Sequence, residues 1–276
     1  MKTNNKILLY DDYCPLCTWY SGLFVKFGLL NSGNRVAFSK ADLAVLTAID
    51  IEKGKDEIPL FDPATHQTMY GIDALLEILG QKIPFIKLIG NIKPIKWLLK
   101  KIYKLISYNR KVIVARKCGP GSFDCSPAFN TFYRIIFLLL FLLFNSLMLL
   151  PLHNHVFTQL SFYHLSTAQL QAGHFVLVGI NCLLASFLGR KAAVEYLGQV
   201  NMLALISILL LTTLMFFTSF FSIPEWIIIS GLALITGFII KEYYRRMKYA
   251  GILARHKSIV LINIICLGIF LGYVFH

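Results

Sequence analysis

The chain has 276 residues, of which 57% are hydrophobic, and its mean hydropathy is positive, which excludes an ordinary soluble domain of this length. Its formal net charge is +13. The cations cluster beside long apolar runs, so lipid accounts for them and no nucleic-acid partner is expected.

Nearly all of the apolar excess follows residue 131. The expected fold class is an α/β N-terminal domain followed by an all-α transmembrane bundle of about five spans. Three stretches are distinguished: 1–81, the domain with the Cys-x-x-Cys pair; 82–131, a basic amphipathic segment and a Cys-containing juxtamembrane linker; and 132–276, the membrane domain.

The first strand runs from Lys6 to Tyr10. Its apolar core is shorter than a secretory signal's apolar region, so no export signal is expected. Asp11-Asp12-Tyr13-Cys14-Pro15-Leu16-Cys17 then turns into a helix expected from Pro15 to Leu30. Two residues between the thiols bring both sulfurs to the first helical turn, where unpaired N–H groups and the helix dipole favour a thiolate at Cys14. Without an export signal the pair sits in a reducing compartment, where such cysteines are catalytic or metal-binding rather than permanent staples. Cys14 is the expected attacking thiolate and Cys17 the resolving thiol. Asp11 is the candidate carboxylate beside them, as proton relay to Cys17 or as helix cap.

A strand from Arg35 to Ser39 and a helix from Asp42 to Asp50 follow. Then comes a hairpin of Ile58 to Phe61 and Gln67 to Tyr70 around Asp62-Pro63, and a helix from Ile72 to Leu79 with Ile72, Leu75, Leu76 and Leu79 on one apolar face. Strand-helix-strand followed by strand-strand-helix, with Cys-x-x-Cys after the first strand, is a thioredoxin-like layout.

Three segments in this order, Asp11-x-x-Cys14-Pro15-Leu16-Cys17, Tyr70-x-x-Asp73-Ala74-Leu75 and Tyr103-x-x-Ile106-x-x-Asn109-Arg110, resemble the DCC family of predicted thiol-disulfide oxidoreductases over roughly residues 6–117. Asp12 stands where that family usually has Gly. The resemblance implies a thioredoxin-like fold and a redox role for Cys14 and Cys17. It also implies that Pro59, opening the strand after the crossover, lies against the disulfide, commonly after a cis bond. The membrane half carries no such resemblance.

From Lys82 to Lys117 there are eleven basic residues and no acidic one. After Pro94, Ile95, Leu98, Leu99, Ile102, Leu105 and Ile106 repeat at helical spacing, with Lys96, Lys100, Lys101 and Lys104 on the other face. This helix is expected to lie on the anionic inner leaflet with Trp97 and Tyr103 at the interface, although the same apolar face could pack on the domain core. Cys118 and Cys125 flank a Gly-Pro-rich turn and form a possible second redox pair exchanging with Cys14 and Cys17, or two free linker thiols. Six residues separate them, which suits neither half of a four-cysteine zinc site, so no metal is expected.

Five spans are expected: Phe132 to Leu150, Ala168 to Leu188, Val200 to Phe221, Trp226 to Ile240 and Ser258 to Phe275. The fourth is the shortest. All nine Lys and Arg residues after 131 fall on one side of this alternation, which places the N-terminal domain in the cytoplasm and the C-terminus outside. His153, His155, His164 and His174 gather in or beside the first external segment, where they read as loop residues or as ligands at a haem or quinone site. Cys182 and Cys266 lie within spans.

The functional expectation is a membrane-bound thiol-disulfide oxidoreductase that reduces protein or small-molecule disulfides at the cytoplasmic face and needs no cofactor beyond its own disulfide. Its partners would be a disulfide-containing protein or low-molecular-weight thiol, and anionic lipid. The alternatives are a membrane protein that binds or transports a small molecule or haem, with the Cys pair sensing redox state or holding metal, and a passive anchor.

Overall fold

The computed structural model describes residues 5–116 and 127–274, and it divides into two compact units, the first ending at Tyr133 and the second starting at Arg134. Cys118 and Cys125 lie outside the described residues.

Unit 1 is built on a four-stranded sheet, β1 (Ile7–Tyr10), β2 (Arg35–Ala37), β3 (Pro59–Asp62) and β4 (Gln67–Tyr70), in the order β2-β1-β3-β4. β1 is parallel to β2 and antiparallel to β3, and β3 and β4 form an antiparallel hairpin. Successive strand side chains point to opposite faces. Leu8 therefore enters one core with Phe24, Ile58, Leu60, Ala74 and Ile78, while Leu9 enters another with Phe38, Ile49 and Phe61. Both leucines are fully buried, so β1 is the centre of a layered α/β unit.

Helix α1 (Pro15–Lys26) is the crossover between β1 and β2. Pro15 suits its first turn, where a missing N–H costs nothing, and the chain leaves the helix through Gly28 at φ +63°. Here the helix is shorter than expected from sequence. The stretch expected as one helix from Asp42 to Asp50 is instead α2 (Leu43–Thr47) followed by α3 (Ile51–Asp56). Asp50 makes the break by capping α3, its Oδ1 accepting from Lys53 N at 3.0 Å.

Helix α4 (Ile72–Leu79) has the expected bounds but buries Ala74, Leu76 and Ile78 most deeply. The expected face was too narrow, because Ala74 and Ile78 meet the sheet core while Leu75 and Leu79 pack at its margin. It starts after Gly71, whose φ of +57° is strained for any L side chain and where an added Cβ would come 2.9 Å from Glu57 Oε2. Helix α5 (Pro84–Gly90) and the 22-residue α6 (Lys93–Val114) then pack within unit 1, α6 against α1, α3, α4 and α5.

Unit 2 holds α7 (Thr131–His155, whose first three residues belong to unit 1), α8 (Thr167–Ser186), α9 (Arg190–Phe220), α10 (Glu225–Tyr249), the short α11 (Ile252–Arg255) and α12 (Lys257–Val274). Five of these are long and apolar enough to cross a membrane, including the marginal fourth. At about 1.5 Å per residue, the 31-residue α9 exceeds the roughly 30 Å of a hydrocarbon core by several turns. Its first turns therefore project at one end of the bundle, where α7 also begins and α10 ends. Arg134 Nη1 pairs there with Glu195 Oε2 at 3.0 Å, and Arg246 Nη1 donates to Gln199 Oε1 at 2.8 Å. Deeper in the bundle, Asn181 Oδ1 accepts from Tyr196 Oη at 2.6 Å and from Asn263 Nδ2 at 3.0 Å, tying α8, α9 and α12.

Candidate functional site

Cys14 is the N-cap of α1, and the Cys17 backbone N–H donates to its Sγ at 3.5 Å. The turn before it is held by Asp11, whose Oδ1 accepts from Tyr13 N at 3.0 Å and whose carbonyl accepts from Cys14 N at 3.3 Å. Ligand atoms of Asp11, Cys14 and Cys17 lie within 4.8 Å of one another, and all three residues are buried.

The fourth member comes from far along the chain. Arg110, near the end of α6 and 9% exposed, sets its guanidinium 3.8 Å from Cys17 Sγ and 3.5 Å from Asp11 Oδ2. It is fixed by donating to Lys55 O at 3.0 Å. Tyr20 is also within reach of Cys17. A cleft of about 20 Å³, room for roughly one water, opens beside Cys14 and is lined by Asp11, Arg110, Lys111 and Arg116 among others.

The electrostatics separate the two thiols. The Cys14 thiol is brought down to about 6 by the hydrogen bond from the Cys17 thiol, against its own burial, with the Cys17 backbone N–H and the Arg110 charge adding to the effect. The Cys17 thiol is pushed up, because it donates to Cys14 and is buried. Burial raises the Asp11 carboxyl against the pull of Arg110. The arrangement thus offers one thiolate, one protonated thiol and one carboxyl of raised basicity.

Sequence reading had placed Asp11, Cys14 and Cys17 together, and the structure does so. Pro59 opens β3 opposite Tyr70, and the Ile58–Pro59 bond, at a place where the resemblance makes a cis bond common, is trans. That segment is pinned from both sides, Ile58 N donating to Tyr103 Oη at 2.8 Å and Ile58 O accepting from Gly71 N at 2.9 Å. Arg110 was missed as a site residue. Its signal was the Asn109-Arg110 pair, one cation among eleven.

The three cysteine-site donors form the one group of three or more His, Cys, Asp or Glu residues near enough to share an ion among the described residues. The Arg110 guanidinium already supplies the positive charge there, at 3.5 Å from the carboxylate. Among the histidines, His153 has both ring nitrogens engaged, with Asn154 Oδ1 and Leu165 O at 3.0 Å each, while His155 and His164 are exposed and His174 lies inside α8. Cys182 is exposed on unit 2 and Cys266 half-buried, both as free thiols. No family model, curated protein or solved structure matches the chain.

Proposed function

We propose that the chain is a membrane-bound thiol-disulfide oxidoreductase with a thioredoxin-like unit 1 at the cytoplasmic face, of the kind its DCC-like motifs imply. The observation that carries the reading is the buried constellation of Cys14 at the start of α1, Cys17 one turn on, and Arg110 and Asp11 against them. A parallel β1-α1-β2 unit joined to an antiparallel β3-β4 hairpin and α4 supports the thioredoxin-like assignment. The cytoplasmic orientation rests on the Lys and Arg residues after 131.

In the proposed reaction the Cys14 thiolate attacks one sulfur of a substrate disulfide, forming a mixed disulfide and releasing the other sulfur as a thiolate, which takes a proton from water. Cys17 then gives its proton to Asp11 and attacks Cys14 Sγ. The substrate's second thiolate leaves, and a Cys14–Cys17 disulfide remains. Two electrons have passed to the substrate, and a dithiol donor returns them.

The test is a redox titration of the purified full-length protein, each cysteine read by differential alkylation and mass spectrometry, with Cys14→Ser and metal-stripped controls. A reversible two-electron Cys14–Cys17 couple is expected. No disulfide at any potential, or thiols that alkylate only after chelation, would sink the proposal. The same titration reads Cys118 and Cys125, whose concerted oxidation would add the second pair.

A further inference from the structure

Helix α6 is amphipathic, and within unit 1 it packs with its polar side inward. Lys96 and Lys100 pair with Asp73 at 2.5 and 2.9 Å, and Lys104 with Glu57 at 3.4 Å. Tyr103 binds the Ile58 amide, Ser107 the Asp56 carbonyl, and Arg110 the cysteine site. The opposite stripe is left outward: Leu98, Ile102 and Ile106, at four-residue spacing, are 51, 45 and 46% exposed, and Trp97 is 63% exposed. On α5, which packs on α6, Phe85 and Leu88 are exposed as well. Neither sequence expectation for this helix anticipated that Lys96, Lys100 and Lys104, at 31, 48 and 39% exposure, would pair with carboxylates of unit 1.

Two observations identify what covers the stripe. The last turns of α6 are covered by the residues that lead into the first span: Asn109 Nδ2 donates to Tyr133 O at 3.1 Å and the Tyr108 ring stacks on Tyr133 at 5.1 Å. Phe132, in the first turn of α7 and still within unit 1, is exposed, and the helix it opens is apolar enough to enter a bilayer. The chain that enters the first candidate span thus leaves unit 1 beside the end of α6. The 82–117 stretch also lacks any acidic residue that would repel phosphates, and exposed Lys93 and Lys101 remain to meet them.

We infer that the α5–α6 face is a monotopic lipid-docking surface, with Leu98, Ile102, Ile106, Phe85 and Leu88 in the acyl–headgroup boundary and Trp97 at its rim. Attachment is by apolar insertion more than by charge, because the lysines that would bind anionic lipid are paired with Asp73 and Glu57. It follows that docking tolerates salt and persists on neutral lipid. This inference is independent of the redox reading, though α6 also carries Arg110 on its inner side.

The test uses the full-length protein with Trp19→Phe and Trp226→Phe, both exposed positions, in nanodiscs of phosphatidylcholine brominated in the upper acyl chain. Loss of most Trp97 emission to the brominated lipid is expected, with several-fold protection from acrylamide, unchanged in high salt and without anionic lipid. Leu98→Asp with Ile102→Asp should abolish the lipid quenching, while circular dichroism and the redox state of Cys14 and Cys17 check the fold. Quenching by acrylamide alone would overturn the inference by leaving the face in water. Protection from both quenchers would overturn it by assigning the face to protein, the second unit or another copy. Quenching that requires anionic lipid and disappears in salt would overturn apolar insertion.

Discussion

The Arg110 guanidinium gives the sharpest quantitative test of the cysteine site. It stands 3.8 Å from Cys17 Sγ, which lies within 4.8 Å of Cys14 Sγ. Across about 6–8 Å at an effective dielectric near 20, a unit charge stabilises the Cys14 thiolate by roughly 2–3 kcal/mol, or up to about two pKa units. Replacing Arg110 by Leu forfeits that, but it also removes the charge that pulls the Asp11 carboxyl down. Any proton Asp11 then takes up relieves its repulsion of the thiolate, so the net upward shift is smaller, about one unit. Cys17→Ala removes the larger contribution, the thiol hydrogen bond, and is expected to move Cys14 by about one to two units. The assay is the rate of Cys14 carboxamidomethylation against pH in reduced full-length protein, resolved by peptide mass. In the native chain the rate should rise with a midpoint at about 6, fall away below it as the thiol reprotonates, and leave Cys17 almost unlabelled. A native midpoint in the ordinary thiol range, or an Arg110→Leu profile that superposes on the native one, would refute the reasoning.

Asp11→Asn should trap the mixed disulfide, because Cys17 loses its proton acceptor; resolution slows about 100-fold, while an unchanged rate in stopped-flow would reduce Asp11 to a cap on Tyr13. Tyr103→Phe leaves the buried Ile58 N–H without its 2.8 Å partner and should cost about 1–2 kcal/mol of unit 1 stability, read by hydrogen exchange of that segment. Asn181→Leu removes the acceptor for both Tyr196 and Asn263; a loss of about 0.5–2 kcal/mol in detergent unfolding is expected, and a rise in stability would show that the network is not a structural tie.

Where structure depends on neighbours in sequence, the residues announced it. The alternation of Leu8 and Leu9, Pro15 at a helix start, and the Asp62-Pro63 hairpin turn locate their elements from within a few residues. The Asp42 to Asp50 stretch misled because Asp50 reads equally as the end of one helix or the cap of the next, and only its bond to Lys53 N decides. The burial of Arg134 and Arg246 was not legible because hydropathy marks the apolar part of a helix and says nothing of what packs on the turns beyond it. Arg110 lies 93 residues from Cys17, and no local pattern links them.

Helix α6 shows why an amphipathic pattern alone cannot orient a helix. Periodicity identifies two stripes; which one faces the protein depends on what the protein offers. Unit 1 presents Asp73, Glu57, the Ile58 amide and the Asp56 carbonyl, polar groups that need partners if buried. A wholly apolar helix face would leave the Ile58 amide and the Asp56 carbonyl orphaned at about 1–3 kcal/mol each, comparable with what an exposed leucine forfeits. The polar stripe faces unit 1 and delivers Arg110 to the cysteines, and the apolar stripe turns outward as the kind of patch that marks an interaction surface. If lipid covers that stripe, as inferred above, the helix that presents it to the membrane carries Arg110 to Cys17 on its other side.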